Sequence, residues 1–239
     1  MIPICDVHCH ILPEMDDGCA DLAETLRVLQ IANEQGVHEL IATPHFYSNK
    51  ERIETFLERR KQSYESLAPN IPSSMRVCLG AEVAYFSGIS RYENIEQLCL
   101  GQSRFLLLEL PFAPWDSNVV RELYNLICIR GITPVLAHIE RYLPIQPKDM
   151  MRKVLALDVL VQMNAENLLR FIPSFQARRL LRSGTVQLLG SDCHNTTDRG
   201  FCLGKAVGRL RKQGMHRQLH RVANISRDIF QKACGNDSF

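Results

Sequence analysis

The sequence lacks the motifs by which several common classes of protein are recognised. Neither glycine-rich phosphate loop, GxGxxG or GxxxxGK[ST], occurs in it, which removes support for a nucleotide-binding domain. Its nine cysteines are odd in number and contain no CxxC pair, so we expect a reducing compartment and no disulfide framework. The longest apolar stretch, FLLLELPFA, is interrupted by Glu109 and is too short to span a bilayer.

The positive and negative charges of the chain nearly balance, which argues against partners that are attracted by a strongly charged protein. The formal net charge is +2 at pH 7, so we expect no nucleic-acid partner and no membrane insertion. The opening residues, MIPICDVHCH, have neither a basic start nor an apolar run, so we expect no signal peptide and a cytoplasmic protein. Basic residues are concentrated between Arg199 and Lys232, where Asp228 is the sole acidic residue. A solvated helix surface explains such a run most simply, and a surface for an acidic partner is the alternative.

Short apolar runs alternate with amphipathic helical patterns along the chain, which predicts parallel strands joined by helical crossovers. The apolar runs number seven, which favours a closed barrel in one α/β domain over an open doubly wound sheet. The candidate strands are ICDVHCHI, ELIATPHF, RVCLGAEVAYF, FLLLELPF, TPVLAHIE, VLVQMNAE and VQLLGSDCH. The candidate helices cover residues 21–35, 51–67, 118–130, 148–157, 173–183, 199–213 and 217–233.

Two histidines stand one residue apart in the first candidate strand, in the segment DVHCH. Alternate side chains of a strand share a face, so His8 and His10 point the same way and Cys9 points the other way. Two imidazoles this close need a shared acceptor, and a metal ion is the usual one. Further ligand types occur late in the other strands, where the catalytic groups of a parallel barrel gather. These are His45, Glu82, Glu109, His138, Asp192 and His194.

Each of these residues alone has a simpler explanation, such as a hydrogen-bonded structural histidine, an ion pair or a helix cap. Their coincidence weakens that explanation, because a carboxylate in an apolar run is costly to bury without a partner. Glu82, Glu109 and Asp192 all have that setting, and one cationic centre accounts for the three. Imidazole and carboxylate ligands without an obligatory thiolate suit manganese, iron or zinc.

The order of these motifs resembles that of the polymerase-and-histidinol-phosphatase (PHP) superfamily. The matching segments are DVHCH, TPH, GAE, AHIERY and SDCHN. The closer resemblance is to the bacterial manganese-dependent protein-tyrosine phosphatases of capsule and exopolysaccharide loci. It is carried by DVHCHILPEMDDG, GVHELIATPHF, AHIERY, and SDCHN followed by Arg199, from Ile4 to Leu210. Cys9 departs from the family pattern, which often has a small polar residue between the two histidines.

The resemblance implies a distorted (β/α)7 TIM-like barrel forming a single domain over residues 1–239. It adds Asp17, the second aspartate of MDDG, to the ligands, and it indicates Arg141 and Arg199 as the phosphate-binding residues. The enlarged ligand set implies two or three divalent ions, for which manganese is expected and iron or zinc are the alternatives. The implied reaction is phosphotyrosine hydrolysis by a metal-bridging hydroxide. The implied substrate is the tyrosine-phosphorylated tail of a bacterial tyrosine kinase that regulates capsule or exopolysaccharide synthesis.

Two other functions compete with this one. A small-molecule phosphatase, such as a histidinol-phosphate phosphatase, could use the same site. A non-catalytic domain with structural metals is less well supported, because a structural site needs no arginines beside it and prefers a closed shell of four ligands.

A thiol mechanism is disfavoured as well. The spacing CxxxxxR occurs from Cys193 to Arg199, but the residues between, HNTTD, lack the glycines that would turn backbone N–H groups toward phosphate.

Overall fold

The computed structural model describes residues 3–170 and 173–235, and every strand pairing within them is parallel. The strands are β1 (Cys5–Cys9), β2 (Glu39–Ala42), β3 (His45–Phe46), β4 (Arg76–Leu79), β5 (Glu82–Ala84), β6 (Phe105–Glu109), β7 (Thr133–Leu136), β8 (Leu160–Asn164) and β9 (Leu188–Gly190). The helices are α1 (Leu22–Glu34), α2 (Ile53–Leu67), α3 (Ser117–Cys128), α4 (Lys148–Leu155), α5 (Pro173–Ser183), α6 (Leu203–Lys212) and α7 (His216–Cys234).

Two strands of the barrel are kinked, and each is therefore divided into two short segments. Thr43 and Pro44 separate β2 from β3, and Gly80 and Ala81 separate β4 from β5. Hydrogen bonding continues through the kinks, since the N–H of Gly80 donates to the carbonyl of Ala42 at 2.8 Å. The sheets β1-β2-β4 and β3-β5-β6-β7-β8-β9 therefore form one surface, which corresponds to the seven strands predicted from the sequence.

The barrel closes between its first and last strands. The N–H of His10 donates to the carbonyl of Cys193, and the N–H of Asp192 donates to the carbonyl of His8, both at 2.8 Å. Gly190 makes the close approach possible, because a Cβ there would lie 2.7 Å from the Cβ of His8. Closure therefore places the DVHCH and SDCHN segments side by side, although more than 180 residues separate them.

Helix α7 covers the barrel at the end opposite the carboxyl ends of the strands. Its Ser226 hydroxyl accepts the N–H of Cys5 at 3.3 Å. The apolar side chains inside this half of the barrel pack against the helix, which explains why α7 has a continuous buried face. They include Val7, Ile41, Leu107, Val135 and Leu188, which pack with Ile229, Phe230 and Ala233 of α7.

The predicted helices are present with shifted ends, and the start of α6 shows the physical reason. The sequence predicts this helix from Arg199, whereas α6 begins at Leu203. The side chain of Asn195 accepts the backbone N–H groups of Thr197 and Arg199, each at 3.0 Å, and so holds this segment as a turn. Arg199 therefore lies in a loop, and its guanidinium is directed back to the barrel end.

The expectation of no disulfide is wrong for one pair of cysteines. Cys78 of β4 and Cys234 at the end of α7 are joined, with their Cα atoms 5.8 Å apart. The pair is separated by 156 residues, so local sequence pattern gave no sign of it. The other seven cysteines are free. No helix in the described part of the chain combines the length and apolar character needed to cross a bilayer.

Candidate metal centre

The nine predicted ligands lie together at the carboxyl ends of the strands. We call them the ligand cluster. The barrel brings them to one rim because parallel strands end on the same side. The cluster consists of His8, His10, Asp17, His45, Glu82, Glu109, His138, Asp192 and His194.

His8 and His10 form the buried centre of the ligand cluster. Their Nε2 atoms are 3.2 Å apart, and both reach the same Oε2 of Glu82, at 3.1 and 3.2 Å. Oδ1 of Asp192 lies 3.5 and 3.6 Å from the same two nitrogens. Cys9, between them in sequence, points the other way, and its thiol donates to the carbonyl of Ile41. The strand alternation predicted from DVHCH is therefore what the structure has.

Glu82 is shared by two further histidines on the other side of the cluster. Nδ1 of His45 is 3.1 Å from its Oε2, and Nε2 of His138 is 2.9 Å from its Oε1. Nε2 of His138 also lies 3.3 Å from Oε1 of Glu109. Glu82 is 1% exposed, so this single carboxylate faces four imidazoles in the interior. Such a carboxylate is suited to bridging two cations.

Asp17 lies at the open side of the cluster. Its side chain is 65% exposed, and its Oδ1 lies 3.5 Å from Nε2 of His45 and 3.6 Å from Nε2 of His194. The His194 ring stacks on the His10 ring, with centroids 3.9 Å apart. Asp17 could therefore complete a group whose other members are buried imidazoles.

The chemistry of this donor set fits divalent metal ions. Four overlapping groups of residues each present ligand atoms within 4.8 Å of one another: His10, His45 and His194; His8, His10, Glu82 and Asp192; Asp16, Asp17 and His45; and His45, Glu82 and Glu109. Nε2 of His194 is buried without a hydrogen-bond partner in the described chain, a condition that ligation would relieve. Imidazole and carboxylate donors of this kind hold manganese, iron or zinc.

The cluster shifts the pKa values of its histidines in opposite directions. Burial lowers the pKa of His10, but hydrogen bonds to Asp16 and Glu82 outweigh this and raise it to about 10. Burial likewise opposes protonation of His138, while Glu109 and Glu82 raise its pKa to about 9. Burial and the neighbouring charge of His10 lower the pKa of His194 to about 4. The carboxylates thus favour positive charge within the cluster.

Two members of the ligand cluster have strained backbones. His138 has φ 32° and Asp192 has φ 51°, in the left-handed region that costs such residues about 1–3 kcal/mol. Hydrogen bonds hold both in place: the N–H of His138 donates to Oε1 of Gln162 at 2.6 Å, and that of Asp192 donates to His8 as described. The strain turns both side chains into the cluster at the points where β7 and β9 end.

Asp16, Gln162 and Asn164 orient the ligands, and none was predicted from the sequence. Oδ2 of Asp16 accepts a hydrogen bond from Nδ1 of His10 at 2.8 Å, and Oε1 of Gln162 lies 3.3 Å from Nδ1 of His8. The amide of Asn164 donates to Oδ2 of Asp192 at 2.6 Å. A signal existed for two of them, because Gln162 and Asn164 are alternating polar residues in the otherwise apolar run VLVQMNAE.

Both predicted arginines contact Asp192. Nη2 of Arg141 donates to its Oδ2 at 2.6 Å, and Nη2 of Arg199 donates to its Oδ1 at 2.9 Å. Each arginine side chain is more than one-third exposed, and the contact with Asp192 uses one of the five N–H donors of each, so further donors can bind a ligand. They border a cleft of about 690 Å³, whose wall also includes Asn164 and Lys205. The arginines can therefore bind an anion that approaches the cluster from this cleft.

The structure gives no support to a thiol nucleophile. Cys193 is fully buried, and burial raises the pKa of its thiol far above the ordinary value. The thiol donates toward the carbonyl of Asn195 at 3.5 Å and does not face the ligand cluster. A nucleophilic cysteine needs a depressed pKa and access to substrate, and Cys193 has neither.

Fold and site together define a seven-stranded parallel barrel with a candidate metal centre and two arginines at its edge. The chain belongs to the family described as capsular polysaccharide synthesis, CpsB/CapC, which matches residues 4–227. The family relationship predicted from the motifs is therefore confirmed.

Individual relatives match over most of their length. The tyrosine-protein phosphatase YwqE of Bacillus subtilis (strain 168) is 27% identical over 217 residues, which cover 87% of this chain and 84% of YwqE. The tyrosine-protein phosphatase CpsB of Streptococcus pneumoniae is 28% identical over 212 residues, which cover 81% of this chain and 84% of CpsB.

Solved structures agree on the fold. One solved structure aligns with TM-score 0.79 and 23% identity. It belongs to a study of YwqE from Bacillus subtilis and CpsB from Streptococcus pneumoniae, which are described there as metal-dependent tyrosine phosphatases. It covers 96% of this chain and 95% of that chain. A mutant PTE-like lactonase of Deinococcus radiodurans aligns with TM-score 0.55 and 11% identity over 96% of each chain. The predicted TIM-like barrel is confirmed.

Proposed function

We propose that this protein is a metal-dependent phosphatase that hydrolyses phosphotyrosine in proteins. One observation carries the proposal: a buried cluster of imidazoles and carboxylates lies beside Arg141 and Arg199, whose free donors face a cleft. Relatives named tyrosine-protein phosphatases support the choice of phosphotyrosine.

The nine residues of the ligand cluster would hold the ions. Glu82 would be shared by two of the ligand groups, the one that contains His8 and His10 and the one that contains His45 and Glu109. We propose two or three ions, with manganese as the metal and iron or zinc as alternatives, because the donors are imidazole and carboxylate without thiolate. Ions bound there would act as Lewis acids toward the phosphoryl group and make hydroxide available near neutral pH.

Arg141 and Arg199 would bind the phosphoryl oxygens. A guanidinium presents paired donors that match two oxygens at once, and lysine cannot reproduce this geometry. Asp192 holds one donor of each arginine, so it fixes both guanidinium groups at the edge of the cluster. Phenolate leaves readily because the pKa of tyrosine is about 10, so no strong general acid is needed.

The substrate that we propose is a tyrosine-phosphorylated protein tail, and its source would be a bacterial tyrosine kinase of capsule or exopolysaccharide synthesis. The cleft at Arg141 and Arg199 is open to solvent along Arg170 and Lys205, which gives a peptide room to continue past the phosphorylated residue. We also propose that residues 1–239 form a single domain and that the protein acts in the cytoplasm. The seven free cysteines support a reducing environment, whereas the Cys78–Cys234 disulfide argues against a reducing environment.

Side-by-side hydrolysis of a phosphotyrosine peptide and of histidinol phosphate tests the proposal. The protein is stripped with a chelator, and manganese is then restored. We expect release of phosphate from the peptide only after metal is added, with little release from histidinol phosphate. If the protein hydrolysed histidinol phosphate but not the peptide, the proposed tyrosine phosphatase would be wrong, and the protein would instead be a small-molecule phosphatase.

A further inference from the structure

Phe112 is an exposed aromatic residue at the edge of the ligand cluster. It follows β6, three residues after Glu109, and is 52% exposed. Its ring is nearly parallel to that of His138, with an interplanar angle of 19° and centroids 6.0 Å apart. Its other neighbour is the buried ring of Tyr142, at 5.4 Å. One face of an apolar ring is thus supported by the cluster, while much of the rest is open to water.

The position of Phe112 is fixed by the loop that carries it. The indole N–H of Trp115 donates to the carbonyl of Pro111 at 3.0 Å, and the backbone N–H of Trp115 donates to Oε1 of Gln146 at 2.8 Å. Trp115 is buried, and its ring packs on Tyr142 at 5.2 Å. Phe112 is therefore a preorganised surface, which limits the entropy that a ligand must overcome.

Phe112 differs from the other exposed apolar side chains in its position beside the ligand cluster, not in the extent of its exposure. The large apolar side chains that are more than half exposed in the described chain are Phe112, Tyr124, Ile129 and Phe175. Tyr124 lies on α3, Ile129 directly follows it, and Phe175 lies on α5, all on the outer layer of the barrel. Phe112 is the one whose ring faces a residue of the ligand cluster. An exposed apolar ring beside a polar centre is a place where a ligand would bury apolar surface.

A second aromatic residue, Tyr47, lies at the edge of the cluster in a different setting. Tyr47 lies beside His45, with ring centroids 5.3 Å apart. Burial raises the pKa of Tyr47 to about 12, and the nearby charges of Glu109 and Glu82 act in the same direction. The ammonium of Lys50 lies 4.1 Å from its ring centroid and occupies one of its faces. Phe112 therefore offers the more accessible apolar ring.

We propose that Phe112 binds the aromatic ring of the substrate and so makes the site selective for aryl over alkyl phosphates. This rests on the proposed phosphatase function and specifies its substrate class. With the phosphoryl group held between Arg141, Arg199 and the ligand cluster, the phenyl ring packs against the free part of the Phe112 ring. Aromatic pairs gain free energy beyond area burial, equivalent to about two- to tenfold in affinity. An alkyl phosphate has no planar face to place there.

Calorimetric titration of two phosphonates into the manganese-loaded protein tests this role without depending on turnover. Phenylphosphonate and methylphosphonate carry the same anionic group and differ in the ring. We expect Phe112→Ala to raise the Kd of phenylphosphonate by about two- to tenfold and to leave the Kd of methylphosphonate unchanged. Phe112→Tyr should restore phenylphosphonate binding because it keeps the ring. Tyr124→Ala, which removes an equally exposed ring from α3, should change neither Kd.

Equal weakening of both phosphonates in Phe112→Ala would overturn the proposal, because it would show that the residue only supports His138. An unchanged Kd for phenylphosphonate would overturn it as well. Phe112→Leu keeps an apolar side chain in the loop and gives the same comparison if the alanine variant does not fold. Failure of the phosphatase function is a separate outcome: wild-type protein would then bind neither phosphonate and hydrolyse no phosphotyrosine peptide.

Discussion

Oδ2 of Asp16 lies 2.8 Å from Nδ1 of His10 and also accepts the backbone N–H of His45 at 2.7 Å. One carboxylate thus orients two neighbouring members of the ligand cluster. A carboxylate on the far nitrogen of a ligating imidazole fixes its tautomer, so that the other nitrogen presents a lone pair to the metal. Asp16 and Asp17 are adjacent in sequence, yet the structure gives them different places: one behind the cluster, the other at its open side.

Asp16→Asn should weaken metal binding without removing a ligand. The amide can still accept one hydrogen bond, but it loses the charge that supports His10, so we expect metal affinity to fall by about 10- to 100-fold. Competition with a fluorescent chelator measures this. Asp158→Asn, at an exposed aspartate before β8, is the matched control and should bind metal as the wild type does. Unaltered affinity in Asp16→Asn would contradict the orienting role.

Glu82→Gln should lower the number of ions bound per chain by at least one. The side chain keeps its size, but the charge that faces four imidazoles is gone. Elemental analysis of protein purified without chelator gives the stoichiometry. The control is Glu122→Gln on α3, because Glu122 is similarly buried but accepts from Ser90, a residue outside the ligand cluster. That variant should keep its metal and lose only stability, by about 1–3 kcal/mol.

The metal-free protein should lose stability as pH rises from 7 to 8.5. His10 and His138 have pKa values raised to about 10 and about 9 in the folded state, against about 6.5 when unfolded. A raised pKa stabilises the fold fully below pH ~6.5, and the stabilisation is lost progressively as pH approaches the folded value. The slope is at most about 1.4 kcal/mol per pH unit for each histidine. Thermal unfolding of chelated protein should show the decrease, whereas protein reloaded with manganese should show a smaller one.

Arg141→Lys should reduce kcat/KM for a phosphotyrosine peptide by about 10- to 100-fold. The lysine ammonium keeps the charge but not the paired donors, one of which holds Asp192 while another would bind a phosphoryl oxygen in the proposed function. Steady-state kinetics with manganese saturating gives the value, and metal content should remain that of the wild type. Arg121→Lys on the exposed surface of α3 is the control. If both variants had equal activity, Arg141 would have no part in phosphate binding.

Cys193→Ala should retain phosphatase activity within about threefold, since the thiol is buried and protonated. Peptide hydrolysis by protein with a confirmed metal content is the measurement. A variant that keeps its metals but has lost activity would revive the thiol mechanism that the CxxxxxR spacing suggests.

Much of the barrel could be predicted because its signals are local. Apolar runs and helical periodicity marked the strands and helices, and the alternation in DVHCH gave the directions of His8, His10 and Cys9. The late positions of Glu82 and His138 in their strands predicted a common rim, since parallel strands end together. Helix ends were less accurate, as at Arg199, because the Asn195 side chain holds a turn that periodicity does not reveal.

The sequence by itself determined which residue types occur at which strand ends, and therefore predicted the fold class, the family and a candidate metal centre. Only the tertiary structure decided how these residues combine: that Glu82 faces four imidazoles, that Asp192 is shared by Arg141 and Arg199, and that Phe112 lies open beside His138. It also decided the Cys78–Cys234 pairing. The physical reason is that hydrophobic periodicity fixes local conformation, whereas contacts between different strands and loops depend on barrel closure and loop packing, which no short segment encodes.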